Sequence, residues 1–73
     1  MNSIPSPYTA VIQQSEGWWI GWIEEVPGVN SQGKTREELL ENLREALGEA
    51  LEMNRADARA AATGTYEEVS ISA

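Results

Sequence analysis

The chain has 73 residues, 12 of them acidic and 5 basic, with no histidine or cysteine and a formal charge of -7. That length predicts one domain, spanning residues 1–73, whose core sits near the limit of what folds alone, and no disulfide can staple it. The acidity repels phosphate backbones, and the missing histidine and cysteine remove the usual general base, the thiolate nucleophile and most transition-metal ligand sets, so neither direct nucleic-acid binding nor catalysis is expected.

Residues 1–7, with Pro5 and Pro7 among small polar side chains, read as a loose lead-in. They lack the basic and apolar regions of a signal peptide, and no apolar run is long enough to span a bilayer, so a cytoplasmic location with no membrane partner is expected. From Tyr8 to Gln13 the residues alternate, with Tyr8, Ala10 and Ile12 on one face, which predicts a first strand. Ser15-Glu16-Gly17 has the length and glycine content of an antiparallel hairpin connection. The second strand, Trp18-Trp19-Ile20-Gly21-Trp22-Ile23, combines aromatic and β-branched residues. It sets Trp18, Ile20 and Trp22 on one face and Trp19, Gly21 and Ile23 on the other, and both sets are largely apolar. One covering helix accounts for one face only. At least one tryptophan is therefore expected at an interface, and Trp18, Ile20 and Trp22 are the candidates for a partner or oligomer contact.

Val26-Pro27-Gly28 ends the pairing, because proline has no N–H for the ladder and glycine accepts positive φ. Val29 to Gln32 reads as a short third strand, with Gly33 turning into a helix. Thr35-Arg36-Glu37-Glu38 places a hydroxyl at the N-cap and a carboxylate three residues on, so each side chain meets an orphan N–H. The helix carries Leu39, Leu43, Ala46, Leu47 and Ala50 as one apolar stripe. Glu37, Glu41, Arg44, Glu45, Glu49 and Glu52 form its solvated side. A helix running unbroken from Arg36 to Ala62 would measure about 40 Å at 1.5 Å per residue, too long for so small a domain to cover. Residues 53–63 thus read as a frayed continuation or a separate short helix capped by Asn54, with a break near Asn54 favoured. Gly64 stops the helix, and Tyr66 to Ile71 alternates weakly as a final edge strand, with Glu67, Val69 and Ile71 on one side.

Two patterns invite a chemical reading. Gly28-x-x-x-x-Gly33-Lys34-Thr35 has the letters of a phosphate-binding loop, but nothing after Thr35 supplies a second Mg²⁺-binding aspartate or a nucleotide-binding sheet; turn glycines before a capping threonine explain it better. Glu24 and Glu25 are adjacent on strand two, point to opposite faces and cannot share one metal site, and Asp57 is the lone aspartate. No metal, cofactor or catalytic residue is expected.

Several of these segments together resemble the HicB antitoxin family across roughly residues 8–52. They are Tyr8 in the first strand, Trp19-Ile20-Gly21-Trp22-Ile23, Pro27-Gly28-Val29, Ser31-Gln32-Gly33, Thr35-Arg36-Glu37-Glu38-Leu39 and Asn42-Leu43-Arg44-Glu45-Ala46-Leu47. Val29 stands where members usually have a small residue or cysteine, and Lys34 where they have an acidic one. The resemblance implies an α+β domain of β-β-β-α-β order, an antiparallel meander packed on one main helix in a partial ribonuclease-H-like fold. It also implies a binding partner, a small basic mRNA-cleaving toxin of the HicA type. Members often carry a DNA-binding segment after this domain; only about twenty residues follow the main helix here, so none is expected. The alternative reading is a stand-alone homo-oligomer of the same fold, serving as a binding or scaffold module without a toxin.

Overall fold

The computed structural model describes residues 8–71, so the lead-in expected at residues 1–7 lies outside it. Strands β1 (Ala10–Ser15), β2 (Trp18–Ile23) and β3 (Asn30–Gly33) form an antiparallel sheet in the order β1-β2-β3, followed by helix α1 (Arg36–Ala60). This is an α+β arrangement of three strands and one helix.

Two tight turns fix the register. Glu16 and Gly17 both take positive φ, 52° and 85°, the combination whose twist matches a two-residue hairpin. Ser15 is thereby set opposite Trp18, and every later pair follows, through Val11 opposite Trp22 to Ala10 opposite Ile23. Between β2 and β3, Gly28 has φ 90° and the Val29 N–H donates to the Val26 carbonyl at 3.4 Å. Proline at the second position and positive-φ glycine at the third are the type II pattern. The third strand runs one residue later than expected, because Val29 is spent on this turn and on receiving the Ile23 N–H at 3.0 Å.

Thr35 caps α1. Its Oγ1 accepts from the Glu38 N–H at 3.1 Å, while the Glu38 carboxylate reaches back to the Lys34 N–H at 2.5 Å, one residue earlier than a reciprocal capping box requires. Asn42 Nδ2 donates to the Gln32 carbonyl at 2.9 Å and ties the second turn of the helix to the outer edge of β3. Gly33 permits this closeness, since a Cβ there would lie 2.6 Å from the Leu39 backbone nitrogen.

The core is small. Ile23, Val29, Leu39 and Leu43 are buried, and Tyr8, Ala10, Ile12, Trp19, Ala46 and Leu47 pack around them half-buried. Full burial of Leu39 and Leu43 contributes roughly 3 to 6 kcal/mol by area arithmetic, an upper bound because unfolded chains are already partly collapsed.

Two expectations fail beyond Ala50. The helix does not break near Asn54 but continues to Ala60, leaving residues 52–60 exposed. The sheet is too short to cover this part of the helix, but coverage is not required. Alanine, glutamate, methionine and arginine dominate this stretch and are strong helix formers, and Glu52–Arg55 forms a supporting ion pair at 3.3 Å. The final strand is likewise absent, because residues 66–71 pair with no described strand. The segment instead runs beside the end of α1, where Arg59 Nε meets Glu68 Oε2 at 3.3 Å.

A candidate interaction face on the sheet

The helix packs on one side of the sheet only. Trp19, Gly21 and Ile23 turn towards it, and Trp18, Ile20 and Trp22 turn away, with Trp18 and Trp22 each 41% exposed and Ile20 half-buried. Along this open face Val11 and Asn30 flank Trp22, Gln13 and Gln32 flank Ile20, and Ser15 stands opposite Trp18. The result is an apolar-aromatic ridge along β2 bordered mainly by uncharged polar side chains, Val11 excepted. Lys34 Nζ lies 5.9 Å from the centre of the Trp18 ring, within cation–π range.

Sequence alternation separates the two sets of β2 side chains but not which set the helix covers. Gly21 holds that information. A Cβ there would come within 2.9 Å of Ile12 Cγ2 and of the Val11 carbonyl, and within 3.2 Å of Leu43 Cδ1. The helix approaches where the side chain is missing, and mid-strand glycine is a recognised sign of such an approach. A one-residue slip of the hairpin would exchange the two faces, so the Glu16-Gly17 turn also decides which tryptophans stay open.

The two glutamates after β2 go separate ways. Glu25 Oε1 accepts the Thr9 N–H at 2.6 Å, and this bond, helped by the Thr9 side chain, holds its carboxyl below the ordinary glutamate range. Glu24 continues the ladder instead, its N–H donating to the Thr9 carbonyl at 2.9 Å, and its side chain stays exposed. Among the described residues no group of three or more acidic side chains is placed to hold a metal ion.

Gly28 lies in the turn before strand β3 and Gly33 is its last residue, so Asn30 to Gly33 are extended and paired rather than curled around an anion. The Glu38 and Leu39 N–H groups are already taken by Thr35 Oγ1 and the Thr35 carbonyl. Glu37 and Glu38 occupy the positive end of the helix dipole. The phosphate-loop letters thus have a structural cause.

Two shallow depressions lie elsewhere. One of about 310 Å³ runs between β1 and α1, lined by Ala10, Ile23, Leu40, Leu43, Arg44 and Leu47 among others. The other, about 290 Å³, lies between the end of α1 and Tyr66–Glu68. No described helix is long and apolar enough to cross a membrane. No protein-family model, curated protein or solved structure matches the chain.

Proposed function

We propose that this protein is a HicB-type antitoxin that binds and inhibits a small, basic, mRNA-cleaving toxin of the HicA type, with Trp18, Ile20 and Trp22 anchoring the complex. The observation that carries this reading is the open aromatic face of β2, uncovered by the chain's own helix on a protein of charge -7. Exposed aromatic ridges with a polar border suit protein recognition, and an acidic surface attracts a cationic RNA-binding partner. Supporting it, the residues that carry the family resemblance sit at the joints of the fold. Thr35 caps α1, Asn42 ties it to β3, and Gly33 admits its first turn.

A stand-alone homo-oligomer is the second reading, favoured by the small number of buried residues, since association enlarges a marginal core. Co-expression with a small basic protein encoded beside this one separates the two. The antitoxin reading expects co-purification and relief of the neighbour's toxicity. The absence of any small basic protein encoded nearby, or a neighbour that never co-purifies and whose toxicity persists, would leave the homo-oligomer.

A further inference from the structure

Charge is unevenly placed around the sheet. The chain carries 12 acidic and 5 basic residues, yet the outward strand positions beside Trp18, Ile20 and Trp22 are Val11, Gln13, Ser15, Asn30 and Gln32, none of them ionisable. Glu16 and Glu24 lie beyond the two ends of β2, one in the hairpin turn and one after Ile23, and both are exposed. The glutamates of α1 belong to the element packed on the other side of the sheet, where Leu43 meets Gly21.

The cation at this ridge is Lys34. Its Nζ lies 5.9 Å from the centre of the Trp18 ring, and among the described residues it joins no ion pair, whereas Arg44, Arg55 and Arg59 are each matched with a glutamate. The ridge thus offers a partner neutral side chains and one positive charge.

Trp18 and Trp22 stand four residues apart, about 13 Å along the strand at 3.3 Å per residue. A surface spanning both removes water from Ile20 and from the Gln13 and Gln32 amides beside it. Amides pair with neutral polar groups, but they do not neutralise a guanidinium or an ammonium. A partner cation pressed onto the middle of the ridge would lose its water with no carboxylate to meet it, which is strongly unfavourable. Stacking on a tryptophan returns only part of that cost, and Lys34 already lies over Trp18. At the rim, where water stays, pairs with Glu16 or Glu24 add little.

We infer that the ridge is covered by an uncharged apolar surface of the toxin, with a toxin carboxylate set against Lys34, and not by the toxin's cationic RNA-binding face. The inference rests on the antitoxin reading above and separates two tasks within it. The acidic surface of the chain speeds the encounter, and a neutral contact on β2 holds the complex.

Charges placed on this face give the test, because the two arrangements respond with opposite signs. Gln13 and Gln32 are exposed, so Gln13→Glu and Gln32→Glu leave the core untouched. Each should weaken binding of the co-purified toxin about tenfold, since a carboxylate would be buried against a neutral surface. Lys34→Met should weaken it about threefold by losing its ion pair. A cationic cover gives the reverse, tighter binding in all three variants. Tighter or unchanged binding in Gln13→Glu and Gln32→Glu overturns the inference and leaves the antitoxin reading in place. An unchanged Lys34→Met variant removes the carboxylate from it. No complex with the wild-type chain overturns both the inference and the reading. A lysine beside tryptophans also suits stacked bases, so the chain alone is titrated with a single-stranded RNA oligonucleotide and tryptophan fluorescence is followed. No binding is expected; binding that disappears in Trp18→Ala would assign the ridge to RNA and overturn the inference.

Discussion

Glu25 shows how one exposed side chain terminates a sheet. Its carboxylate takes the N–H of Thr9, the residue just before β1, at 2.6 Å, a short charge-assisted bond. The Thr9 backbone N–H is the larger cause of its lowered pKa and the Thr9 side chain the next. Because the folded value lies below the unfolded one, about 4.3, the bond contributes stability that is fully present above that pH. It is lost as pH falls through the folded value. Glu25→Gln keeps a neutral acceptor and removes the titration. We expect wild type to exceed Glu25→Gln in denaturant stability at pH 7, and the gap to close on acidification to below the folded pKa. A gap independent of pH would show that the hydrogen bond does not depend on charge. Strand alternation alone separates Glu24 from Glu25, but the Thr9 contact depends on where the hairpin register places residue 9, which no local pattern states.

Among the elements, α1 divides into a packed half and a bare one. Leu43 is almost fully buried against Gly21 and the core, whereas Met53, ten residues on, is 66% exposed. Leu43→Ala should cost about 2 to 5 kcal/mol, the range for a cavity in a core with few neighbours to collapse into it. Met53→Ala should fall within about 0.5 kcal/mol of wild type. Chemical denaturation of both variants checks the contrast, and a comparable loss from Met53→Ala would mean that the distal helix packs against something. The three strands, the Thr35 cap and the Leu39-Leu43-Leu47 stripe were legible because each rests on a short-range pattern of period 2 or 3.6 or on turn chemistry. The course of the chain past Ala50 was not. There the expectation of a break at Asn54 relied on the need for burial, while local propensity and the Glu52–Arg55 pair carried the helix on. The alternation of Tyr66 to Ile71 is present as a pattern, but alternation does not say what a segment pairs with, and here Glu68 meets Arg59 on the end of the helix instead of a strand.

For the whole molecule, charge and aromatic surface make opposite demands that separate the possible associations. Two copies of a chain with charge -7 repel each other, so self-association by any route should strengthen as salt screens the repulsion. Capture of a basic toxin should weaken under the same change, chiefly through a slower on-rate, because long-range attraction steers the encounter. Glu41, Glu45 and Glu49 are solvated on α1, away from the Trp18–Ile20–Trp22 ridge. Their replacement by glutamine should lower the association rate and flatten its salt dependence while leaving the dissociation rate within about twofold. Cutting Trp22 or Trp18 to alanine should do the reverse, costing ~2 kcal/mol or more of affinity through faster dissociation. Both are already 41% exposed, so the fold itself should lose much less than it does with Leu43→Ala. Binding kinetics of the co-purified toxin at two salt concentrations, with these variants side by side, decide the matter. If the tryptophan variants retained wild-type dissociation rates, the anchoring surface would lie elsewhere on the chain; if affinity rose with salt, the acidic surface would play no part in steering.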